Sequence, residues 1–238
     1  MPEAGSVRSL LAPSNARTDL GLTLPIFLCY HVGVIFLPVR NAADLVTQYL
    51  VELAHQSRIA YLAFTIGIGA AFVAVLTLLG RRDVLRWQSF VWLGLESVLY
   101  ALAMRLIAGA VVGRLFLAGG MEGHFTGLMM SLGAGLYEEI AFRVVLFGLG
   151  LRCLRILWPS KAWWRRALLG GGWAVASALL FSAWHHLGAL GEEFDARVFV
   201  FRAVCGLIFT VIYVTRGFAP AVWTHVLYDV WVLVMAPT

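Results

Sequence analysis

Residues 125–151 read FTGLMMSLGAGLYEEIAFRVVLFGLGL, an apolar segment long enough to cross a bilayer as a single helix. Its middle carries Glu138, Glu139 and Arg143. An ionisable side chain at the centre of a transmembrane helix costs about 2.5–3.5 kcal/mol on insertion scales, so such residues usually have partners and a function. This segment therefore predicts a helical membrane protein with a polar site inside its bundle.

The composition of the chain is also that of a membrane protein. Hydrophobic residues make up 61% of the 238 residues, charged residues only 13%, and the mean hydropathy is +0.85. A soluble domain carries about 25% charged residues. The net charge of +5 does not indicate nucleic-acid binding, because the basic residues form short clusters between apolar segments. The three cysteines are far apart and predict neither a disulfide framework nor a CxxC site.

Seven segments are apolar enough to form transmembrane helices of about 20 residues. They are residues 20–39, 59–79, 89–112 and 125–151, a fifth segment that reaches about residue 187, and residues 198–214 and 219–235. The sequence thus predicts an all-α, polytopic transmembrane helix bundle of about seven spans, with room for an eighth. Residues 1–19 lack the apolar region of a signal peptide and are interpreted as a cytoplasmic tail. No repeat or linker interrupts residues 20–238, so we expect a single transmembrane domain.

The loops between these segments alternate in charge along the chain. The basic loops carry Arg81, Arg82 and Arg86, then Arg152, Arg155, Lys161, Arg165 and Arg166, and then Arg216. The acidic loops carry Asp44 and Glu52, then Glu122, and then Glu192, Glu193 and Asp195. Because basic loops are retained on the cytoplasmic side, this alternation predicts a cytoplasmic N-terminus and an external C-terminus.

Helix geometry separates the roles of the two adjacent glutamates. Glu139 and Arg143 are four residues apart, share one face of a helix and can form an ion pair. Glu138 points about 100° away and lacks that partner. A buried carboxylate of this kind takes up a proton readily, as a general base must. The alternative interpretation is that all three charges only bridge neighbouring helices.

Two further polar pairs lie late in the fifth segment and in the last segment. Phe181 and His185 are four residues apart, and so are His225 and Asp229, which project together from one helix face. Histidine exchanges protons readily near neutral pH. Taken alone, a histidine near a helix end is more often an interfacial residue, and a single His/Asp pair is weak support for a site.

The depth of His185 in the membrane depends on where its helix begins. A start at residue 167 places His185 about 27 Å along the helix, near the far face, whereas a start at Trp173 places it at about 18 Å. Three consecutive glycines at 170–172 are a poor helix interior. They favour the later start, with residues 158–166 lying along the membrane interface.

The three patterns occur together in an order that is similar to a known family. They are Glu138-Glu139-x-x-x-Arg143, Phe181-x-x-x-His185 and His225-x-x-x-Asp229, each in a separate apolar segment. In this order they resemble the three motifs of the CPBP family. That family contains intramembrane proteases related to the CAAX prenyl endopeptidase, and bacteriocin-processing and self-immunity proteins. The resemblance covers about residues 125–238, and the first three segments carry no matching motif.

The resemblance implies a CAAX-prenyl-endopeptidase-like bundle with a protease site built by the fourth, fifth and seventh spans. By this analogy Glu138 activates a water and His185 assists it. Glu139 and Arg143 hold the first glutamate in place. The expected reaction is hydrolysis of a peptide bond in a membrane-associated protein, as in C-terminal processing, sorting-signal removal or CAAX-like cleavage.

By the same analogy, His225 and Asp229 polarise the scissile carbonyl or hold the oxyanion. The family accepts Asn or Asp in the last position, and an aspartate cannot donate an N–H, so we expect Asp229 to orient His225. A metal-dependent enzyme would use Glu138, His185, His225 and Asp229 as zinc-type ligands. The chain has no HExxH pattern, and the resemblance favours a glutamic-type protease without a cofactor.

Two other functions remain open at this stage. A small proton-coupled transporter would use the same residues as a relay, although seven spans without an inverted repeat argue against it. A non-catalytic immunity or scaffold member of the family would keep the motifs for folding. All but one of the 18 basic residues are arginine, which favours a bacterial inner membrane. A sorting role would resemble the myxosortase-like branches of the family.

Overall fold

The computed structural model of the chain describes residues 16–37, 43–55, 57–78, 87–113, 123–187 and 191–235. All regular structure in these ranges is helical. The predicted all-α bundle is therefore confirmed. Part of the predicted N-terminal tail and of the alternating loops lies outside the described residues, namely residues 1–15, Arg81, Arg82, Arg86 and Glu122.

Nine α-helices are present in the described ranges. They are α1 (Ala16–Gly33), α2 (Leu45–Leu53), α3 (Arg58–Leu78), α4 (Trp87–Val112), α5 (His124–Glu139), α6 (Gly150–Leu157), α7 (Trp163–Trp184), α8 (Ala196–Arg216) and α9 (Phe218–Val230). A π-helical segment, Ile140–Leu149, joins α5 directly to α6, and a second one, Trp231–Met235, extends α9. Such π-helical distortions occur frequently at functional sites.

Five described helices are long and apolar enough to cross a membrane. They are Thr18–Phe36, Trp87–Val112, Trp163–Trp184, Ala196–Arg216 and Phe218–Met235. The predicted span 59–79 falls on α3, and the span 125–151 falls on α5 and the helical segments that follow it. Many large apolar side chains face outward, including Leu99, Leu106 and Val211, as expected for a surface in contact with lipid.

Helix α9 occupies the centre of the bundle and packs against α1, α4, α5 and α8. Gly135 permits the close approach of α5, because a Cβ at this position would lie 2.9 Å from the backbone nitrogen of Val226. Gly217, with φ of 110°, makes the tight connection from α8 to α9. Asp19 of α1 accepts hydrogen bonds from the backbone N–H groups of Phe218 and Ala219 and so caps the N-terminus of α9.

Helix α7 corrects one prediction from the sequence. It runs without a break from Trp163 to Trp184 and includes the glycines at 170–172, so it does not begin at Trp173. Residues 163–166 accordingly form its first turn rather than an interfacial segment. The glycine penalty is measured in water, whereas a chain in lipid must satisfy every backbone polar group internally, which keeps the helix intact.

A buried polar network, here called the tyrosine cluster, joins α1, α3 and α5 to the residue that precedes α2. Its members are Tyr30, His31, Asp44, Tyr61 and Tyr137. His31 is fully buried, and its Nδ1 and Nε2 are hydrogen-bonded to the hydroxyl groups of Tyr61 and Tyr137. The Tyr30 hydroxyl donates to Asp44 at 2.7 Å. The network therefore binds the N-terminal helices to α5 one residue before Glu138.

Candidate active site

The six predicted site residues converge at one place in the bundle and are called the carboxylate cluster below. Glu138 and Glu139 end α5, and Arg143 lies in the π-helical segment that follows. His185 is the residue immediately after α7, while His225 and Asp229 lie on α9. Three separate parts of the chain thus contribute to the cluster, as the resemblance to the CPBP family implies.

Glu138 lies between the two histidines and is only 5% exposed. Its Oε2 is 3.6 Å from Nε2 of His185 and 3.9 Å from Nε2 of His225. These distances are too long for direct hydrogen bonds, but one water molecule can bridge groups at such separations. The geometry is therefore that of a carboxylate and two imidazoles directed at a common point.

The two imidazole rings are oriented through their Nδ1 atoms. His185 donates Nδ1–H to the carbonyl oxygen of Phe181 at 2.9 Å. His225 donates Nδ1–H to Oε1 of Glu139 at 2.7 Å. Each ring therefore turns its Nε2 toward Glu138, because the hydrogen bond made by one nitrogen fixes the role of the other.

Glu139 and Arg143 form the predicted pair, with Arg143 Nε 3.1 Å from Glu139 Oε2. Both side chains are almost completely buried. Glu139 also makes a contact that the spacing does not predict, since its second oxygen binds Nδ1 of His225. The pair therefore orients the histidine of α9. Sequence spacing reveals which residues share a face, but it does not reveal which neighbouring helix that face meets.

Aromatic rings close the cluster on the side of α7 and α8. Phe209 stacks on His225 with a centroid distance of 4.6 Å, and Phe181 meets His185 edge to face at 5.0 Å. The guanidinium of Arg143 lies 4.3 Å from the centroid of the Phe181 ring and 4.9 Å from that of the Phe209 ring. This arrangement shields the charges from lipid and strengthens cation–π contacts. Phe209 was missed because nothing in an apolar helix distinguishes it from other core residues.

Asp229 contacts the same nitrogen of His225 that faces Glu138. Its Oδ2 is 3.5 Å from Nε2, so the predicted pairing of these residues is present. The role of fixing the ring orientation is carried by Glu139 through Nδ1, and Asp229 adds a negative charge on the Nε2 side. About 18% of the Asp229 side chain and 23% of the His185 side chain are exposed, so these two groups border the accessible edge of the cluster.

Arg202 on α8 is a charged neighbour that the motifs do not include. Its positive charge acts on both His185 and Asp229, and its Nη2 donates to both carboxylate oxygens of Glu192, at 2.6 Å and 2.7 Å. The backbone N–H of Glu192 in turn donates to the carbonyl oxygen of His185. The sequence could have indicated Arg202 as a functional residue, because it is ionisable and lies inside the predicted span 198–214.

A metal-dependent enzyme would hold its ion with Glu138, His185, His225 and Asp229. In the part of the chain that the structure describes, no three His, Cys, Asp or Glu side chains are arranged as a set of metal ligands. A zinc site needs three or four donors at about 2.0–2.3 Å from one point. The contacts among the nitrogen and oxygen atoms of Glu138, His185, His225 and Asp229 are 3.5–3.9 Å long, and the steps proposed below use these side chains without a metal.

Comparison with models of known protein families gives a match. A family model described as type II CAAX prenyl endopeptidase Rce1-like matches residues 120–231. This range includes the whole carboxylate cluster and leaves out α1 to α4. No curated protein and no solved structure matches the chain.

Proposed function

We propose that the carboxylate cluster is the active site of a glutamic-type intramembrane protease, because a family model described as type II CAAX prenyl endopeptidase Rce1-like matches residues 120–231. The observation that carries this proposal is that Nε2 of His185 and Nε2 of His225 both lie within 3.9 Å of one carboxylate oxygen of Glu138. The substrate is a membrane-associated protein, and the reaction is hydrolysis of one peptide bond.

Glu138 acts as the general base. A water bound between its Oε2 and the two Nε2 atoms gives a proton to the carboxylate while its oxygen attacks the scissile carbonyl carbon. The separations of 3.6 Å and 3.9 Å support this role, because they suit a bridging water better than a direct contact. The aromatic walls keep bulk water away from the reacting groups.

His225 stabilises the oxyanion that forms in this attack. In its protonated state it donates Nε2–H to the developing negative charge, while Nδ1–H remains bound to Glu139. Glu139 holds the ring in this orientation, and Arg143 holds Glu139. Asp229 faces the donor nitrogen and stabilises the charged imidazole.

Breakdown of the tetrahedral intermediate completes the reaction. The C–N bond breaks, and the proton held by Glu138 passes to the leaving nitrogen, either directly or through Nε2 of His185. Because His185 donates Nδ1–H to Phe181, its Nε2 is the acceptor nitrogen of the neutral ring. The products are a new carboxyl terminus and a new amino terminus, and Glu138 returns to its ionised form.

The position of the site relative to the two faces of the membrane indicates which class of protein it cleaves. His185 follows the C-terminal end of α7, whereas Lys161, Arg165 and Arg166 lie at or before its N-terminal end. The 22 residues of α7 span about 33 Å, which is the thickness of the hydrocarbon core. With the basic residues on the cytoplasmic side, His185 lies toward the external face. The substrate is then an exported protein cut near a membrane anchor, as in sorting-signal removal.

The protease activity is tested by comparing protein termini in membranes that contain the wild-type chain or the Glu138→Gln variant. We expect new termini, close to membrane anchors, only with the wild type. Glu52→Gln, which changes an exposed carboxylate on α2, is the matched control and retains processing. Identical termini with Glu138→Gln would contradict the proposal. A chelator should leave the wild-type pattern unchanged, and loss of processing that zinc restores would contradict the metal-independent mechanism.

Sidedness is tested separately by labelling with a membrane-impermeant maleimide in intact cells. Cys153 is exposed on α6 near the basic end, and Phe194 is 66% exposed beside the opposite end of α7. In a Cys29→Ala background, Phe194→Cys should react in intact cells and Cys153 only after the membrane is opened. The reverse pattern would place the site on the cytoplasmic side without affecting the case for proteolysis.

A further inference from the structure

A basic cavity lies between α6 and α7, away from the carboxylate cluster. Its volume is about 830 Å³, and its lining includes four cationic side chains, Arg155, Lys161, Arg165 and Arg166, together with Trp158. The volume is within the range of about 300–1,000 Å³ that is typical of ligand sites. None of the residues that line it is acidic.

The local sequence offers no counter-charge for these cations. Between Glu139 and Glu192 the chain contains no aspartate or glutamate. Four positive charges around one concave surface repel each other, and an anion from outside the chain relieves that repulsion. The cavity is therefore electrostatically complementary to an anionic ligand.

Part of the cavity wall is held in a defined shape. Arg166 donates Nε–H to the carbonyl oxygen of Ser160 at 2.7 Å, and the Ser160 hydroxyl accepts from the backbone N–H of Ala162. The guanidinium of Arg165 lies 5.1 Å from the centroid of the Trp164 ring. These contacts fix the turn before α7, so two of the guanidinium groups are positioned before a ligand arrives.

The surroundings of the cavity are apolar and aromatic. Trp158, Trp163, Leu157 and Leu168 are each more than 60% exposed. Tryptophan is enriched where the hydrocarbon core meets the headgroups, and exposed leucines suit contact with acyl chains. A cavity with cationic walls and an apolar border matches a molecule with an anionic head and hydrocarbon tails.

We propose that this cavity binds the headgroup of an anionic phospholipid from the membrane leaflet on the basic side of the protein. The phosphodiester lies among Lys161, Arg165 and Arg166, and the acyl chains follow the exposed apolar side chains of α6 and α7. Arg and Lys both bind phosphate, Arg in bidentate geometry. This site is independent of the protease activity proposed above.

The test uses the purified full-length chain in a neutral detergent, with native mass spectrometry to count bound lipid. Phosphatidylglycerol should remain bound, whereas phosphatidylcholine should not. The double variant Lys161→Gln/Arg165→Gln should weaken phosphatidylglycerol binding by about fivefold per cation removed, or about 30-fold together, given about 1 kcal/mol per basic residue at an anionic surface. Arg166 is left in place because it holds the turn through Ser160.

The control is Arg58→Gln/Arg197→Gln, which removes the same charge from exposed positions on α3 and α8. This variant should bind phosphatidylglycerol like the wild type. Equal weakening in both double variants would overturn the proposal, because binding would then follow net charge alone. Competition by inorganic phosphate at concentrations that match the lipid would indicate a free-anion site, and preference for an acidic peptide would indicate a protein partner. Either result would also overturn it.

Discussion

The tyrosine cluster and the carboxylate cluster are neighbours that meet at Tyr137 and Glu138, yet their histidines are used in opposite ways. In the tyrosine cluster both ring nitrogens of His31 are hydrogen-bonded to tyrosine hydroxyls, and the ring has no exposed surface. In the carboxylate cluster, His185 and His225 each commit only Nδ1 to a short hydrogen bond with the protein. Their Nε2 atoms face a carboxylate at a distance that suits a bridging water.

The difference separates a structural network from a reactive one. Groups whose hydrogen-bonding capacity is used within the protein stabilise the packing of helices and keep little capacity to bind a ligand. Charged groups arranged around a common point are costly in lipid and are retained for function. Burial alone does not distinguish the two clusters. The clusters differ in that the Nε2 atoms of His185 and His225 keep capacity to hydrogen-bond a water or substrate.

The largest expected difference is between two adjacent substitutions, Glu138→Gln and Tyr137→Phe. Loss of the general base should lower the cleavage rate by about 10²- to 10⁴-fold, with little change in thermal stability. Tyr137→Phe should leave turnover per folded molecule close to the wild-type value and cost about 1–3 kcal/mol of stability, because His31 loses a partner. Cleavage rates and thermal unfolding of the two purified variants test this prediction. A similar loss of activity in both would contradict the assignment of Glu138 to catalysis and Tyr137 to structure.

Glu139→Gln should lower kcat by about 10- to 100-fold while KM changes little, because it weakens the group that orients His225. It also leaves the buried charge of Arg143 without its partner, so stability falls. The double variant Glu139→Gln/Arg143→Met removes both charges and should recover stability without recovering kcat. If the double variant regains the wild-type kcat, the pair serves folding only.

His31→Phe is expected to act on stability alone. It leaves the hydroxyl groups of Tyr61 and Tyr137 without the imidazole between them, at a cost of about 1–3 kcal/mol. Thermal unfolding in detergent should report the loss, and kcat measured on folded protein should remain within about twofold of wild type. A tenfold drop in kcat would show that His31 takes part in the reaction and would contradict a purely structural role of the tyrosine cluster.

The smallest expected effect is that of Asp19→Ala. Asp19 is a buried carboxylate whose two oxygens accept N–H groups at the start of α9, so it belongs with the satisfied, structural groups. Loss of this cap should cost about 0.5–2 kcal/mol. Asp19→Asn keeps an acceptor and should cost less. Thermal unfolding compares the stability of the wild type, Asp19→Asn and Asp19→Ala. Equal stability of Asp19→Ala and the wild type would contradict the capping role.

The sequence predicted the helical class and the pairs within each helix, because both depend on short-range regularities. Spacing of four residues places Glu139 with Arg143 and His225 with Asp229, whatever the rest of the fold, and both pairs are present. The convergence of three helices was implied by the resemblance to the CPBP family, which rests on the order of the three motifs.

What the sequence could not provide concerns helix rotation and the lipid environment. Helix propensity argued for a break at residues 170–172, but α7 continues because lipid penalises an unsatisfied backbone more strongly. The contact of Glu139 with His225 depends on how α5 and α9 are rotated toward each other, which no local pattern encodes. Nothing in the sequence distinguishes Phe209 from the other apolar residues of its helix. Arg202 is ionisable inside a predicted span, but it lies outside the three motifs and is not among the predicted site residues.

The most direct test of the shared site is an experimental structure of the wild-type chain in a lipid nanodisc, at a resolution that shows ordered water. We predict one water within about 3 Å of Glu138 Oε2 and within hydrogen-bonding distance of Nε2 of both His185 and His225. Density for a metal ion at that point, or imidazole rings turned away from Glu138 with no water between them, would contradict the account.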